Sequence, residues 1–193
     1  MYLPASADDH DEINGAQAVG FQFVDTRLGF ARQTAPCGPA SRVRLYRAAD
    51  LQRLRAIART SHEVTRFFAD PHFPREGCRD LYDRWIVRSC EEGWADAVFV
   101  VDVDGYASGY VTCHLDGAAR RGSIGLTAVS AASRGAGLGR DLVCGALAWF
   151  DERGCEEVSI VTQGANVGAQ RLFQACGFRT ASAGIWLHRW YER

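Results

Sequence analysis

An α+β fold, with a mixed and mostly antiparallel central sheet flanked by helices, is the class this sequence predicts. Three observations lead there. The runs "DAVFVVDV", "YASGYVTCHL" and "SIGLTAV" follow one another with only short turn signals between them, the pattern of adjacent antiparallel strands. Segments with helical periodicity lie on both sides of this block. The glycine-rich stretch "SRGAGLGRDL", Ser133 to Leu142, then joins the last of those strands to a helix.

Taken in order, residues 1–20 are acidic and polar and read as a poorly ordered or accessory segment. Residues 21–193 read as one domain, with 21–40 adding a strand and loop ahead of its core. "FQFVDTRLGFAR" alternates as a strand that puts Phe21, Phe23 and Asp25 on one face, and "QTAPCGPA" breaks it. "SRVRLYRA" is the next strand. Asp50 is placed to cap the helix "LQRLRAIARTS", whose apolar face is Leu51, Leu54 and Ile57 or Ala58. "RDLYDRWIVRSCEEG" predicts a second helix with Leu81, Trp85 and Ile86 as its stripe and Gly93 as its stop. The hairpin that follows turns at Asp104-Gly105, a pair that supplies the positive φ angles of a tight turn. Beyond the glycine stretch come a helix ending at Gly154, the strand "EEVSIVTQ", a short helix closing at Gly177 and the final strand "GIWLHRWY".

Composition narrows the function classes. A chain of 193 residues with 47% hydrophobic content is enough for a sizeable core. Its formal net charge of −1, from 22 basic and 23 acidic residues, lacks the basic footprint of a nucleic-acid binder. No run of about 18 apolar residues predicts a membrane span, and the N-terminus has neither the basic nor the apolar region of a secretory signal. The seven cysteines are odd in number and form no C-x-x-C pair, which suits a reducing cytoplasm and buried apolar roles. The five histidines are scattered singly, so no metal site is expected.

Glycines where a strand runs into a helix let the backbone approach a ligand, and the first-turn amides with the helix dipole attract an anion. A phosphate is the guest this chemistry suits. The dinucleotide fingerprint G-x-G-x-x-G fails, because its third position is Arg140, and the phosphate loop of G-K-[ST] type is absent. What stands is Arg134-Gly135-Ala136-Gly137-Leu138-Gly139, with Arg134 and Arg140 able to add charge-assisted contacts.

That stretch, with "GLTAV" before it and "QGANVGAQRLFQACGF" and the final strand after it, resembles the Gcn5-related N-acetyltransferases over roughly residues 43–191. The resemblance implies a GNAT-like fold and acetyl-CoA as cosubstrate, with no metal. It implies that Ala128 and Val129 offer main-chain groups to the pantetheine arm, and that the amides from Arg134 through Gly135, Ala136, Gly137, Leu138, Gly139 and Arg140 hold the pyrophosphate. Asn166, Ala169 and Phe173 would lie beside the thiol end. "GFQFVDTRLGFAR", "LYDRWI" and "GFRTASAGIWLHRW" further resemble the branch that acetylates dTDP-fucosamine, a nucleotide-linked amino sugar.

The implied reaction is direct attack of a neutral small-molecule amine on the thioester, which asks for a base, an oxyanion donor and a proton for the leaving thiolate. The family often supplies that proton from a tyrosine in N-x-x-A-x-x-L-Y, but here Asn166, Ala169 and Leu172 are followed by Phe173. The readings that stand are an acetyltransferase that protonates the thiolate from water, acting on a nucleotide-linked amino sugar or else on another small amine or a peptide amine, and a non-catalytic acyl-CoA-binding sensor domain. His114 is the candidate base, on a strand face shared with Tyr110 and Thr112; Glu63, Asp70 and His72 are the others. Trp186, Trp190 and Tyr191 suit a packed sheet edge or a wall for a nucleotide base, and an exposed terminal strand suits a homodimer.

Overall fold

The computed structural model describes residues 1–35 and 37–191. The strands are β1 (Tyr2–Ser6), β2 (Gln22–Gln33), β3 (Val43–Leu45), β4 (Ala97–Val103), β5 (Tyr106–Asp116), β6 (Arg121–Val129), β7 (Glu157–Gln163) and β8 (Arg179–His188). The helices are α1 (His10–Ala18), α2 (Leu51–Ser61), α3 (Arg66–Ala69), α4 (Arg75–Glu91), α5 (Leu138–Glu152) and α6 (Val167–Ala175). One sheet holds all eight strands in the order β1-β8-β2-β7-β6-β5-β4-β3, and every pairing is antiparallel except β6 with β7. The predicted class is the one observed.

The β4–β5–β6 meander follows from its turns. Asp104 and Gly105 have φ values of 52° and 84°, the left-handed pair that keeps the two strands' twist in phase. Strand β5 is buried along most of its length, because helices cover both faces. On one face Leu142, Leu147 and Phe150 of α5 pack on Val111, Ile124, Val158 and Ile160. On the other, Leu54 and Ile57 of α2 and Tyr82 and Ile86 of α4 pack on Val100, Tyr110 and Leu126.

Four local expectations are corrected by the packing. Residues 1–20 are regular, not poorly ordered: β1 pairs with β8, and Ala5, Ala16 and Leu187 bury one another. The buried positions of α4 are Cys78, Tyr82, Ile86 and Ser89, so its apolar stripe is rotated from the expected one and Leu81 is exposed. Strand β2 carries a bulge between Phe23 and Asp25, which shifts the alternation and separates the faces of those two residues. Asp50 precedes α2 but does not cap it with its side chain; its carboxylate accepts two hydrogen bonds from Arg44, at 2.7 and 2.9 Å, and one from the Arg47 amide, which caps the short turn Ala48–Asp50 instead. The Arg44 pairing holds the Asp50 carboxyl below its usual range and ties β3 to the start of α2.

The cysteines also depart from expectation. Cys37 and Cys144 form a disulfide, while Cys78, Cys90, Cys113, Cys155 and Cys176 are free. A separation of 107 residues removes any spacing signal for the pair. No helix among the described residues is long and apolar enough to cross a membrane.

Strand β2 takes an unusual place. It lies between β7 and β8, although those two are neighbours in sequence, and it pairs antiparallel with both. The chain next pairs at the far edge of the sheet as β3, and residues 37–42 ahead of it pass over α5, where Cys37, Gly38 and Arg42 meet Cys144, Arg140 and Asp141.

Candidate active-site cleft

The parallel ladder between β6 and β7 stops at Ile124 and Ile160. Past that point β6 continues against β5 and β7 continues against β2, so the two strands part. The main chain of Gly125 to Val129 has no ladder partner on its β7 side, and a cleft opens there.

Two cavities share this cleft. One, of about 590 Å³, is lined by Ala128, Val129, Arg134, Gly135, Gly137, Leu138, Gly139, Arg140, Asn166 and Ala169. The other, of about 460 Å³, is lined by Arg27, Tyr82, Trp85, Gly125, Thr127 and Phe173 among others. His62, Thr65, Thr127, Gln163, Asn166 and Ala169 border both, so the two volumes meet at the split.

Each glycine of the loop has its own reason. Gly135 and Gly137 have φ values of 80° and 78°, conformations that residues with a Cβ rarely adopt, and Gly137 is the N-cap of α5. Gly139 has ordinary backbone, but a Cβ there would sit 3.0 Å from Leu172 Cδ2, so the third glycine sets how closely α5 approaches α6. Among the described residues the amides of 135–139 meet no backbone acceptor, and they stand at a helix N-terminus beside a cavity flanked by Arg134 and Arg140. That is an anion-binding geometry. Ala136 does not line the cavity; its carbonyl accepts from Arg42 at 3.4 Å, which braces the loop from outside.

Asn166 caps α6, accepting from the Ala169 amide at 3.3 Å and donating to the buried Thr162 hydroxyl at 3.1 Å. It therefore locks α6 to β7 at the base of the cleft. Phe173 is buried edge-on against Phe30 at 5.9 Å and presents only carbon to the cavity.

His114 shares the face of Thr112 and Tyr110, but it does not line either cavity. It sits behind the β6 backbone, with Nε2 3.4 Å from Thr112 Oγ1 and 2.6 Å from where a Cβ on Gly125 would be. Burial depresses its pKa. Glu63 is exposed and paired with Arg79. Asp70 and His72 belong to a different cluster, with His188 and Trp190.

The histidine at the split is His62, at the end of α2, which sequence reasoning passed over. Its Nε2 lies 2.8 Å from the Tyr110 hydroxyl and its ring stacks on Tyr82 at 4.6 Å. Burial, with no compensating carboxylate, pushes its pKa down to about 4, and the same burial pushes Tyr82 up to about 12. Both are neutral near pH 7. The only signal in the sequence was a histidine closing an amphipathic helix, which carries no chemistry until Tyr110 is brought to it.

The depressed His62 pKa has a stability consequence. The unfolded chain binds a proton at this residue below about pH 6.5, whereas the folded chain does so only near pH 4. Between those values the unfolded state holds more protons, so stability falls as pH is lowered from 6.5 to 4. Denaturant unfolding across that window is expected to show the slope in the wild type and to lose this component in His62→Phe.

The sheet thus parts between its two parallel strands, with the glycine-rich loop bordering one cavity and Arg27, Tyr82 and Trp85 bordering the other, an architecture in which two molecules can meet end to end. The chain belongs to the acetyltransferase (GNAT) family, whose family model matches residues 52–178. It is an N-acetyltransferase in class, and the family uses acetyl-CoA as cosubstrate. The dTDP-fucosamine acetyltransferase of Escherichia coli O6:H1 is 25% identical over 95% of this chain and 79% of its own length. The mycothiol acetyltransferase of Thermobispora bispora is 30% identical over 64% of this chain, which spans only 43% of that protein. Among solved structures, a GCN5-related N-acetyltransferase from Sphaerobacter thermophilus superposes with a TM-score of 0.69 at 17% identity, covering 96% of this chain and 58% of that one, a likeness of fold.

Proposed function

We propose that the chain transfers the acetyl group of acetyl-CoA to the amine of a nucleotide-linked amino sugar in the cytoplasm. The observation that carries this reading is the meeting of the two cavities at His62, Thr127 and Asn166, which lets a donor and an acceptor face each other across the split. The residues present fit the donor. Free amides at 135–139 and the guanidinium groups of Arg134 and Arg140 would hold its pyrophosphate, and the main chain of Ala128 and Val129, paired with β5 but open on the side that β7 leaves, would hold its pantetheine arm. Acetyl-CoA supplies the thioester carbonyl that the amine attacks and the thiol that leaves.

The chain's own contribution is positioning and proton control. The two cavities hold amine and carbonyl in line, which replaces a bimolecular encounter with an oriented one. Main-chain amides on the open side of β6 are placed to receive the developing oxyanion. His62, neutral and with one ring nitrogen engaged by Tyr110, presents its other nitrogen, which has no hydrogen-bond partner among the described residues. We assign it the amine proton. Phe173 cannot protonate the thiolate, so that proton comes from solvent at the cleft mouth.

Arg27 and the stacked pair Tyr82 and Trp85, with rings 5.9 Å apart, line the acceptor cavity. A guanidinium beside flat aromatic area suits a phosphate carrying a sugar or base. The likeness to the dTDP-fucosamine enzyme over nearly the whole chain supports the same acceptor class.

Thiol release from acetyl-CoA, measured over a panel of dTDP-amino sugars, amino acids and polyamines beside calorimetry of CoA alone, tests the reading. Turnover with a dTDP-amino sugar supports it. CoA binding with preference for an amino acid or polyamine refutes the acceptor assignment. His62→Ala is expected to lower kcat about a hundredfold with CoA affinity unchanged, while His114→Ala changes kcat less than about threefold. The opposite ranking would return the base to His114.

A further inference from the structure

Three sulfur atoms converge beside the glycine loop. Cys37, in the segment that crosses over α5, is bonded to Cys144 in the second turn of that helix. The Cys176 sulfur, from the end of α6, lies within 4.8 Å of both. Cys144 and Cys176 are each 2% exposed, whereas Cys37 is only part-buried, so solvent reaches the group at one sulfur. The surroundings are cationic. Arg140 donates to the Cys37 carbonyl at 3.2 Å, and an Arg32 guanidinium nitrogen donates to the Cys176 carbonyl.

We propose that Cys37, Cys144 and Cys176 form a thiol–disulfide exchange site, open to a low-molecular-weight thiol, that fastens the 37–42 crossing segment against the anion-binding loop. The exchange balances within the chain. The Cys176 thiolate attacks Cys144 Sγ, the Cys37–Cys144 bond breaks, a Cys144–Cys176 bond forms, and Cys37 departs as a thiolate that takes up the proton Cys176 gave. No external oxidant or reductant is consumed. Full opening takes two equivalents of a small thiol. The first attacks the accessible Cys37 and expels Cys144; the second resolves the mixed disulfide, leaving two protein thiols and one small-molecule disulfide. Burial disfavours the Cys176 thiolate, and nearby Arg140 and Arg32 offset part of that.

The bond has something to control. From the same segment, Gly38 packs against the Arg140 guanidinium, Arg42 pairs with Asp141 at 2.7 Å and bonds the Ala136 carbonyl, and Val43 fills the space beside Gly145. These contacts fix Arg140 and the outside of the loop. With Cys37 tied to α5 they are held together; with Cys37 released they depend on an exposed ion pair, hydrogen bonds and the packing of Val43. Resting on the reading of this loop as the CoA site, the closed form binds CoA about fivefold more tightly than the reduced form, and by linkage CoA makes the bond harder to reduce by the same factor.

Two readouts test this separately. Intact protein equilibrated with mixtures of reduced and oxidised glutathione is quenched by alkylation and digested without reduction, and its cross-linked peptides are mapped. A Cys37–Cys144 peptide with a second Cys144–Cys176 peptide is expected, the latter absent in Cys176→Ala, which keeps the buried site apolar. Absence of any Cys37 cross-link, or an identical map in wild type and Cys176→Ala, overturns the exchange site. One zinc retained per reduced chain and lost in Cys176→Ala also overturns it, in favour of a thiolate metal site. CoA calorimetry on the oxidised and reduced forms then reads the coupling. A fivefold weakening on reduction that is missing in Cys37→Ser supports it, and equal affinities overturn it. If neither form binds CoA while the peptides exchange as expected, the exchange site stands and the CoA reading of the loop falls.

Discussion

Gly137→Val is expected to raise the dissociation constant for CoA about a hundredfold or more while leaving the chain folded. Gly137 holds φ at 78° as the N-cap of α5, and valine in that region costs about 1–3 kcal/mol. The backbone relieves the strain by rotating the very amides that face the cavity. A hundredfold loss is about 2.7 kcal/mol, which several misdirected anion contacts readily supply. The helix itself is held by Leu142, Leu147 and Phe150 in the core, so far-ultraviolet dichroism should change little. Gly139→Ala is the informative neighbour. Its added methyl meets only the tip of Leu172, a group that can turn aside, and a loss of less than about fivefold is expected. An unchanged affinity in Gly137→Val would remove the loop from the CoA site.

The second large effect lies away from the cleft. Asp70 is 3% exposed and accepts from four donors: the His188 ring at 2.6 Å, Trp190 Nε1 at 2.9 Å, and the amide and ring of His72, each at 2.9 Å. Burial alone would raise its pKa, but these bonds together hold it well below the usual carboxylate range. The cluster ties the turn between α3 and α4 to the end of β8. His188 is itself 2% exposed and its Nε2 has no partner among the described residues, so Asp70→Ala removes the one hydrogen bond that they give this buried imidazole. A loss of about 3–5 kcal/mol is expected, a fall in Tm of roughly 10 °C for a chain of this size. His72→Ala, whose ring is half exposed and stacks on Trp190, should cost less than about 1 kcal/mol. Thermal melts of the two variants side by side check both figures. Equal effects would mean that the carboxylate is not the keystone of the cluster.

Legibility in the sequence followed the range of the interaction. The Asp104-Gly105 hairpin and the glycine loop were readable because backbone conformations within four residues demand those residue types. Asn166 was named only through the family resemblance, and its part as the cap of α6 shows only in the structure, although that contact too acts just three residues ahead. The stripe of α4 was read one residue out of phase, because Leu81 and Tyr82 are both apolar enough to pattern and only the packing of Tyr82 under His62 decides between them. The disulfide, the His62–Tyr110 pair and the Asp70 cluster join residues 107, 48 and 118 apart, and no local rule reports on such pairs. The bulge at Phe23 likewise depends on how β8 lies beside β2.

The insertion of β2 between β7 and β8 also sets the order in which the molecule can be made. As the chain leaves the ribosome, β2 emerges long before either of its neighbours: Gln33 pairs with Glu157, and Gln22 with His188. Until then its edges are unpaired, with Phe23 and Phe30 available to any other strand. Sheet closure is thus a late, long-range event, slow by its topology. A chain cut short before β8 would retain the helices and the β4–β6 meander while leaving β2 without its outer neighbour, a species whose hazard is aggregation and not merely lost activity.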